Sequence, residues 1–299
     1  MNPRLRIFPF LLLLCMPLAA DLQGREESSE IFQGIRYIKR TQTVPHKQVT
    51  HIIEINLSVP ELRFMTTPSN GEEGPRETWC ETTSAFVRKT KAQIGINGNF
   101  YYNDKEEHTE LLGLAVSNGE VVSPWDGGWA KYAVNISKNN EVVFVERAEN
   151  GAGTTKTVPD IELYNTLSGN MMLVSTGKIQ VPEEGDRHPR TGIGKRADNK
   201  LLLMVADGRQ PGYSAGMTYY EMAQMFLSLG ATDALALDGG GSATLVIAAP
   251  EPKVINAPMP MEMPGGLTLS PPGLERKNGN NLAIFAAPVQ ERADKPAAP

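Results

Sequence analysis

Residues 218–247 read TYYEMAQMFLSLGATDALALDGGGSATLVI, and the rest of the chain is interpreted around them. Thr218 with Glu221 three residues later is a capping box. Met222, Phe226 and Leu229 recur at helical spacing, and Gly230 suits the left-handed position that ends a helix. A short apolar run at 234–237 leads into Asp238-Gly239-Gly240-Gly241-Ser242, and a second apolar run follows at 243–247. A carboxylate at a strand end followed by three glycines and a hydroxyl has two readings. The glycine backbone can approach a ligand closely and cradle an anion. Alternatively, the segment is a glycine-rich turn whose amides Asp238 satisfies. The local sequence leaves both open.

Upstream, LLLMVA at 201–206 is continuously apolar and reads as a strand buried on both faces. It ends at Asp207-Gly208-Arg209, and a loop at 210–217 feeds the helix. Strand, loop, helix and strand in succession predict a right-handed crossover with 201–206 parallel to 234–237. That arrangement brings Asp207, Asp238 and Arg209 to the rim where open α/β sheets bind ligands. The expected fold is a single mixed α/β (α+β) domain over 31–286, with a mixed β-sheet core flanked by helices and the glycine-rich site loop at strand ends. A further helix is expected at 78–89, with Trp79 and Cys80 in its first turn. Hairpins are expected at 111–116/120–122 and 133–137/142–146, and strands at 171–175, 178–181 and 282–285. Residues 21–30 read as a flexible polar lead and 287–299 as a flexible Pro/Ala-rich tail.

Residues 1–20 have the pattern of a secretion signal: Arg4 and Arg6, an apolar stretch at 7–18, then Ala19-Ala20. A secreted or periplasmic location follows as an expectation, and no later segment is long and apolar enough to span a bilayer. Losing that segment removes two positive charges and no acidic residue, so the net charge of −5 becomes −7. With no basic run, nucleic acid is not an expected partner. Without Cys15, the mature chain holds Cys80 alone and forms no internal disulfide. Neither HExxH nor a paired-cysteine motif is present, so no metal or cofactor is required by the sequence, although carboxylates leave calcium or magnesium open. Gly212-Tyr213-Ser214-Ala215-Gly216 matches the serine-hydrolase nucleophile elbow, but no histidine follows His188, so the required chain order is missing.

Two further segments carry polar groups suited to a ligand. Asn97 and Asn99, in INGNF at 96–100, offer neutral donors and acceptors of the kind sugar hydroxyls require, or else form a plain Asn-Gly turn. Arg190, before Thr-Gly-Ile-Gly, presents a planar fork that suits phosphate or carboxylate, or else is a surface or structural arginine. Trp125 and Trp129 flank a glycine pair and read as half-buried covers before they read as sugar platforms.

INGNF at 96–100, RTGIG at 190–194, VADGR at 205–209, the block at 214–246 and ER at 275–276 together resemble the phosphodiester glycosidase family. The resemblance implies hydrolysis of the bond between a sugar anomeric carbon and a phosphodiester, with a carbohydrate or sugar-phosphate substrate. It assigns catalytic candidacy to Asp238, Asp207 and Glu221. Substrate binding falls to Asn97, Asn99, Arg190, Arg209, Ser214, Gly239, Gly240, Gly241 and Ser242. A glycosidase on non-phosphorylated polysaccharide and a non-catalytic sugar-phosphate or cell-wall binding module are the alternatives.

Overall fold

The computed structural model describes residues 24–72, 74–125, 129–147, 159–259, 261–262, 268–269 and 274–289. The segment expected to be a signal lies outside them, as does most of the tail. The largest sheet has eight strands in the order Arg25–Phe32, Ile35–Gln42, Gln48–Asn56, Lys200–Ala206, Arg190–Arg196, Ala231–Ala236, Met171–Ser175 and Lys178–Ile179. A five-stranded sheet runs Pro252–Val254, Leu245–Ala248, Ile94–Asn97, Asn281–Phe285 and Arg63–Thr66. A second runs Glu120–Ser123, Ala115–Ser117, Asn165–Gly169, Tyr132–Ile136 and Val142–Glu146. A three-stranded sheet orders Thr78–Trp79, His108–Leu111 and Tyr101–Asn103.

The expectation of a mixed α/β domain flanked by helices is overturned. The fold is β-rich, its strand pairings are antiparallel, and the described residues hold two α-helices: α1 (Thr83–Thr90) and α2 (Tyr219–Ser228). The crossover from Lys200–Ala206 through α2 to Ala231–Ala236 does exist, and those two strands do run in the same direction. They are not partners, because Arg190–Arg196 lies between them, antiparallel to both. Two glycines hid that central strand. Gly192 and Gly194 face α2, where a Cβ would lie 2.3 Å from Met222 Cε and 2.8 Å from the Phe226 ring. The helix packs against bare backbone there, and the strand lacks the side chains that would announce it.

Two other expectations are corrected. The helix placed at 78–89 starts only after Thr82, whose hydroxyl accepts from the Ala85 amide, and Trp79 belongs to a strand. The polar lead forms the edge strand Arg25–Phe32, paired along its length with Ile35–Gln42. The predicted hairpins and the strand at 201–206 are present. Burial on both faces explains its unbroken apolar run. Leu201, Leu203 and Val205 join the core with Ile94, Ile96, Leu282 and Leu235, while Leu202 and Met204 pack with Met222 and Phe226 of α2. Full burial of each of those two helix side chains contributes about 1.5–3 kcal/mol.

This contact generates a test. Gly194→Ala drives a methyl group into the rigid Phe226 ring and is expected to destabilise the protein by about 1–3 kcal/mol in thermal unfolding. Adding Phe226→Leu should recover part of that loss. An unchanged melting temperature in Gly194→Ala would contradict the close approach.

Candidate active site

Asn97 builds the site. It ends the strand Ile94–Asn97 and is fully buried. Its Nδ2 donates to the Asp238 carbonyl at 2.5 Å, and its Oδ1 accepts from Thr191 Oγ1 at 2.8 Å and the Thr244 amide at 3.1 Å. The Asp238 amide donates to Gly98 O at 3.1 Å, and the Gly240 amide to Pro189 O at 2.8 Å. Glycine is required in this turn: Gly240 sits at φ +58°, and a Cβ on Gly239 would lie 2.7 Å from Pro189 O. Asn99 is committed in the same way. Its amide nitrogen donates to the carbonyls of Leu112 and Leu114, and its oxygen accepts from the Ser168 amide and Asn280 Nδ2. Both asparagines therefore spend their carboxamides inside the protein and shape the site.

Asp238 follows the strand Ala231–Ala236 and lines a cavity of about 950 Å³. Only 9% of the residue is exposed. Burial pushes its carboxyl up to about 6, against the opposing pull of the Ser242 hydroxyl, the Arg276 guanidinium and the Gly239 amide. Arg276 Nη2 stands 3.8 Å from Asp238 Oδ2 and also donates to Ser242 Oγ. Arg276 is held in place by its neighbours in sequence. Glu275 accepts from the amide and hydroxyl of Ser84 in the first turn of α1, and the Lys277 carbonyl accepts from Tyr101 Oη at 2.7 Å. Burial pushes the Tyr101 phenol up to about 12, so it stays protonated. Cys80 also lines the cavity. Burial, with Glu107 nearby, raises its thiol to about 11, which leaves it without thiolate character at neutral pH.

The glycine turn lies between two arginines. A Cβ on Gly240 would lie 3.8 Å from Arg209 Nη1, and one on Gly241 3.3 Å from Arg276 Nη1. Arg209 donates from Nε to His188 Nδ1 at 2.9 Å. Burial, then the charges of Arg209 and Arg190, lower the His188 pKa and keep it a neutral acceptor. Arg190 donates to the carbonyls of Met217 and Asp186, and its guanidinium lies 3.8 Å from the centre of the Tyr219 ring. Among the described residues, neither Arg190 nor Arg209 has a carboxylate within ion-pair distance.

The other two carboxylates stand apart from the cavity. Asp207 is 1% exposed. Its Oδ2 accepts from Tyr213 Oη at 2.8 Å and faces His51 Nε2 at 3.3 Å, and its Oδ1 accepts from Asn256 Nδ2 and the Ala257 amide. It ties the Arg209 loop and the 256–257 segment to the sheet. Ser214 does related work, donating to the Asp207 carbonyl and accepting from the Val49 amide. Glu221 completes the capping box with Thr218 and grips Arg187 through both carboxylate oxygens; burial raises its pKa, but these partners outweigh it and leave the pKa lowered.

The sequence reading did not single out Arg276, Tyr101 or Phe100 as site residues. The signals were the Glu275-Arg276 pair and the aromatic run that follows Asn99. Trp125 is core, its indole donating to Ala130 O, whereas Trp129 is exposed at the cavity against Phe100. No group of three or more His, Cys, Asp or Glu is arranged to hold a metal ion among the described residues.

Comparison with known proteins places this geometry in a family. Residues 90–285 match the family model for phosphodiester glycosidase. The chain is 28% identical over 206 residues to bovine (Bos taurus) N-acetylglucosamine-1-phosphodiester α-N-acetylglucosaminidase, covering 63% of this chain and 37% of that protein. It is 28% identical over 186 residues to the SPbeta prophage-derived protein YomE of Bacillus subtilis, covering 59% of this chain and 27% of that protein. This chain therefore spans well under half the length of these curated relatives. The zebrafish N-acetylglucosamine-1-phosphodiester α-N-acetylglucosaminidase catalytic domain, solved in a form auto-inhibited by its pro-peptide, shares the fold. That match has a TM-score of 0.61 at 22% identity and covers 87% of this chain and 83% of that one. The match to the family model extends from the last residue of α1 to the strand Asn281–Phe285 and takes in Asn97, the glycine turn and Arg276, so the chain belongs to the phosphodiester glycosidase family.

Proposed function

We propose that this protein hydrolyses the bond between a sugar anomeric carbon and a phosphodiester, releasing free sugar and a phosphomonoester. The observation that carries the reading is Asp238, a buried carboxylate with a raised pKa beside Arg276 and a glycine turn in a large cavity. A phosphomonoester is a good leaving group and needs little proton donation. The demands that remain are charge stabilisation at the phosphate and at the developing oxocarbenium ion. In this reading the phosphate rests against the 239–242 turn between Arg276 and Arg209. Ionised Asp238 stabilises the cationic sugar and takes the proton of the attacking water. Asn97 and Asn99 hold the turn, and Asp207 and Glu221 hold the segments that carry Arg209 and Arg187. The residue 1–20 pattern supports export, and N-terminal sequencing of exported protein is expected to begin after Ala20 and not at Met1.

Asp238→Asn tests the catalytic assignment. On an aryl phospho-sugar, turnover is expected to fall by about 100-fold or more. Stability should move the other way. The carboxyl has a folded value of about 6 against 3.8 for the free group, so the native state binds the proton more tightly. Wild-type stability therefore falls as pH rises from about 4 to about 6. The asparagine variant escapes that loss and should be more stable at pH 7.5 by up to about 3 kcal/mol, with no difference near pH 4. A variant that melts lower and keeps its turnover would return Asp238 to a turn-forming role.

A further inference from the structure

Arg36, Arg40, Arg76, Arg187 and Arg196 each pair with a carboxylate. Arg209 is held differently. Its Nε and Nη2 both donate to His188 Nδ1, at 2.9 and 2.6 Å, and its Nη1 donates to Met259 Sδ at 3.4 Å. The Nε–Nη2 edge is one that a carboxylate can grip through two parallel bonds, and here it closes on a single nitrogen. A ring nitrogen that accepts an N–H carries no proton, so the His188 imidazole is neutral with its proton on Nε2. The thioether is neutral as well. The guanidinium is therefore fixed from two sides by groups that cancel none of its charge. Its supports are fixed in turn. His188 exchanges both backbone hydrogen bonds with Met217, and a Cβ on Gly208 or Gly216 would lie 2.9 or 2.6 Å from the His188 carbonyl carbon. Met259 follows Asn256 and Ala257, which Asp207 holds. Arg209 itself sits at φ +56°, where glycine meets no steric objection and a side chain does, so a long side chain at this turn calls for a use outside the turn.

From this we infer that His188 and Met259 are positioning residues that set specificity: through neutral contacts they aim Arg209 at the 239–242 turn and leave its charge for an anionic group there, so that the site prefers a phosphodiester to a neutral glycoside. The inference rests on the proposed function for the place of the phosphate. Gly240 gives the direction, since a Cβ there would lie 3.8 Å from Arg209 Nη1. Nη1 has two hydrogens, and the Met259 sulfur takes one of them. A carboxylate in place of His188 would hold the guanidinium more strongly and cancel its charge within the protein. Holding the group and keeping its charge are opposed at this position, and a neutral acceptor achieves both.

The test reads anion binding, which does not depend on turnover. Phenyl phosphate is titrated by calorimetry into the full-length protein and into three variants at His188. His188→Leu removes the acceptor and frees the guanidinium, and affinity is expected to fall about three- to fivefold. His188→Asn places a neutral oxygen close to the position of Nδ1 and should recover most of that loss. His188→Asp has the same shape and grips the guanidinium more firmly but cancels its charge. Affinity should then fall by about tenfold or more, and the difference from His188→Asn should shrink as salt is raised. Met259→Glu should likewise weaken binding more than Met259→Gln does. In turnover of an aryl phospho-sugar, His188→Asp should raise KM by a similar factor, while the inhibition constant of the neutral aryl glycoside of the same sugar does not follow it. A role confined to structure predicts another order: the aspartate variant binds phenyl phosphate at least as well as the asparagine variant, and the leucine variant melts lower at unchanged affinity. That order, failure of the wild type to bind phenyl phosphate, or equal binding by Arg209→Gln would overturn the inference. The expected order in a protein that hydrolyses no phosphodiester would instead count against the proposed chemistry and leave the two positioning residues standing.

Discussion

One carboxamide joins the parts of the molecule on which the site depends. Asn97 belongs to a five-stranded sheet, yet its oxygen accepts from Thr191 of the eight-stranded sheet and its nitrogen holds the carbonyl of Asp238. Fully buried, it has no water to fall back on, so losing any of these bonds costs about 1–3 kcal/mol of desolvation. The clamp fixes the direction in which the chain leaves the strand Ala231–Ala236. Pro189, at the head of the neighbouring strand, then fixes the glycine turn from the other side. The aspartate is thus aimed by two sheets at once, which gives its position a precision that a free loop would not have.

That position is costly. A buried carboxylate lining a cavity, with its nearest guanidinium 3.8 Å away, gains little from pairing and loses hydration. The other acidic residues show what a stability-driven arrangement looks like. Glu54 is met by Arg36, Arg196 and Lys200, and Asp207 accepts from a phenol, a carboxamide and an amide. Arg190 and Arg209 present the complementary case, positive groups set around the neutral His188. An acid kept partly unpaired and basic groups kept without acids, on the two sides of one glycine turn, make physical sense if a phosphorylated ligand completes the charge balance.

Part of the candidate site and part of the fold were legible in the sequence. The α2 capping box, the apolar run at 201–206 and the Asp-Gly-Gly-Gly turn each carried a local signal strong enough to place the element. The fold class was not legible, because continuous apolar strands mark burial on both faces and do not report strand direction. Here α2 covers one face of an antiparallel sheet and produces the same pattern. The central strand Arg190–Arg196 was masked by glycines that exist to admit Met222 and Phe226. Arg276 lies 38 residues after Asp238 in sequence and meets it only through sheet topology, while Asn97 and Asn99 looked like ligands because their burial cannot be read from an Asn-Gly pair.

The account stands on Asp238 acting as an ionised group whose pKa is set by burial against the pull of Arg276. The most direct measurement is the pH dependence of kcat/KM on a phospho-sugar whose phosphate does not titrate across the range. Activity should rise with pH through a single limb near 6, the value to which burial pushes the carboxyl. In Arg276→Met the limb should move to higher pH, because removing the positive charge makes the ionised form harder to reach. Activity that falls as pH rises through 6, or a limb that Arg276→Met leaves in place, would contradict it.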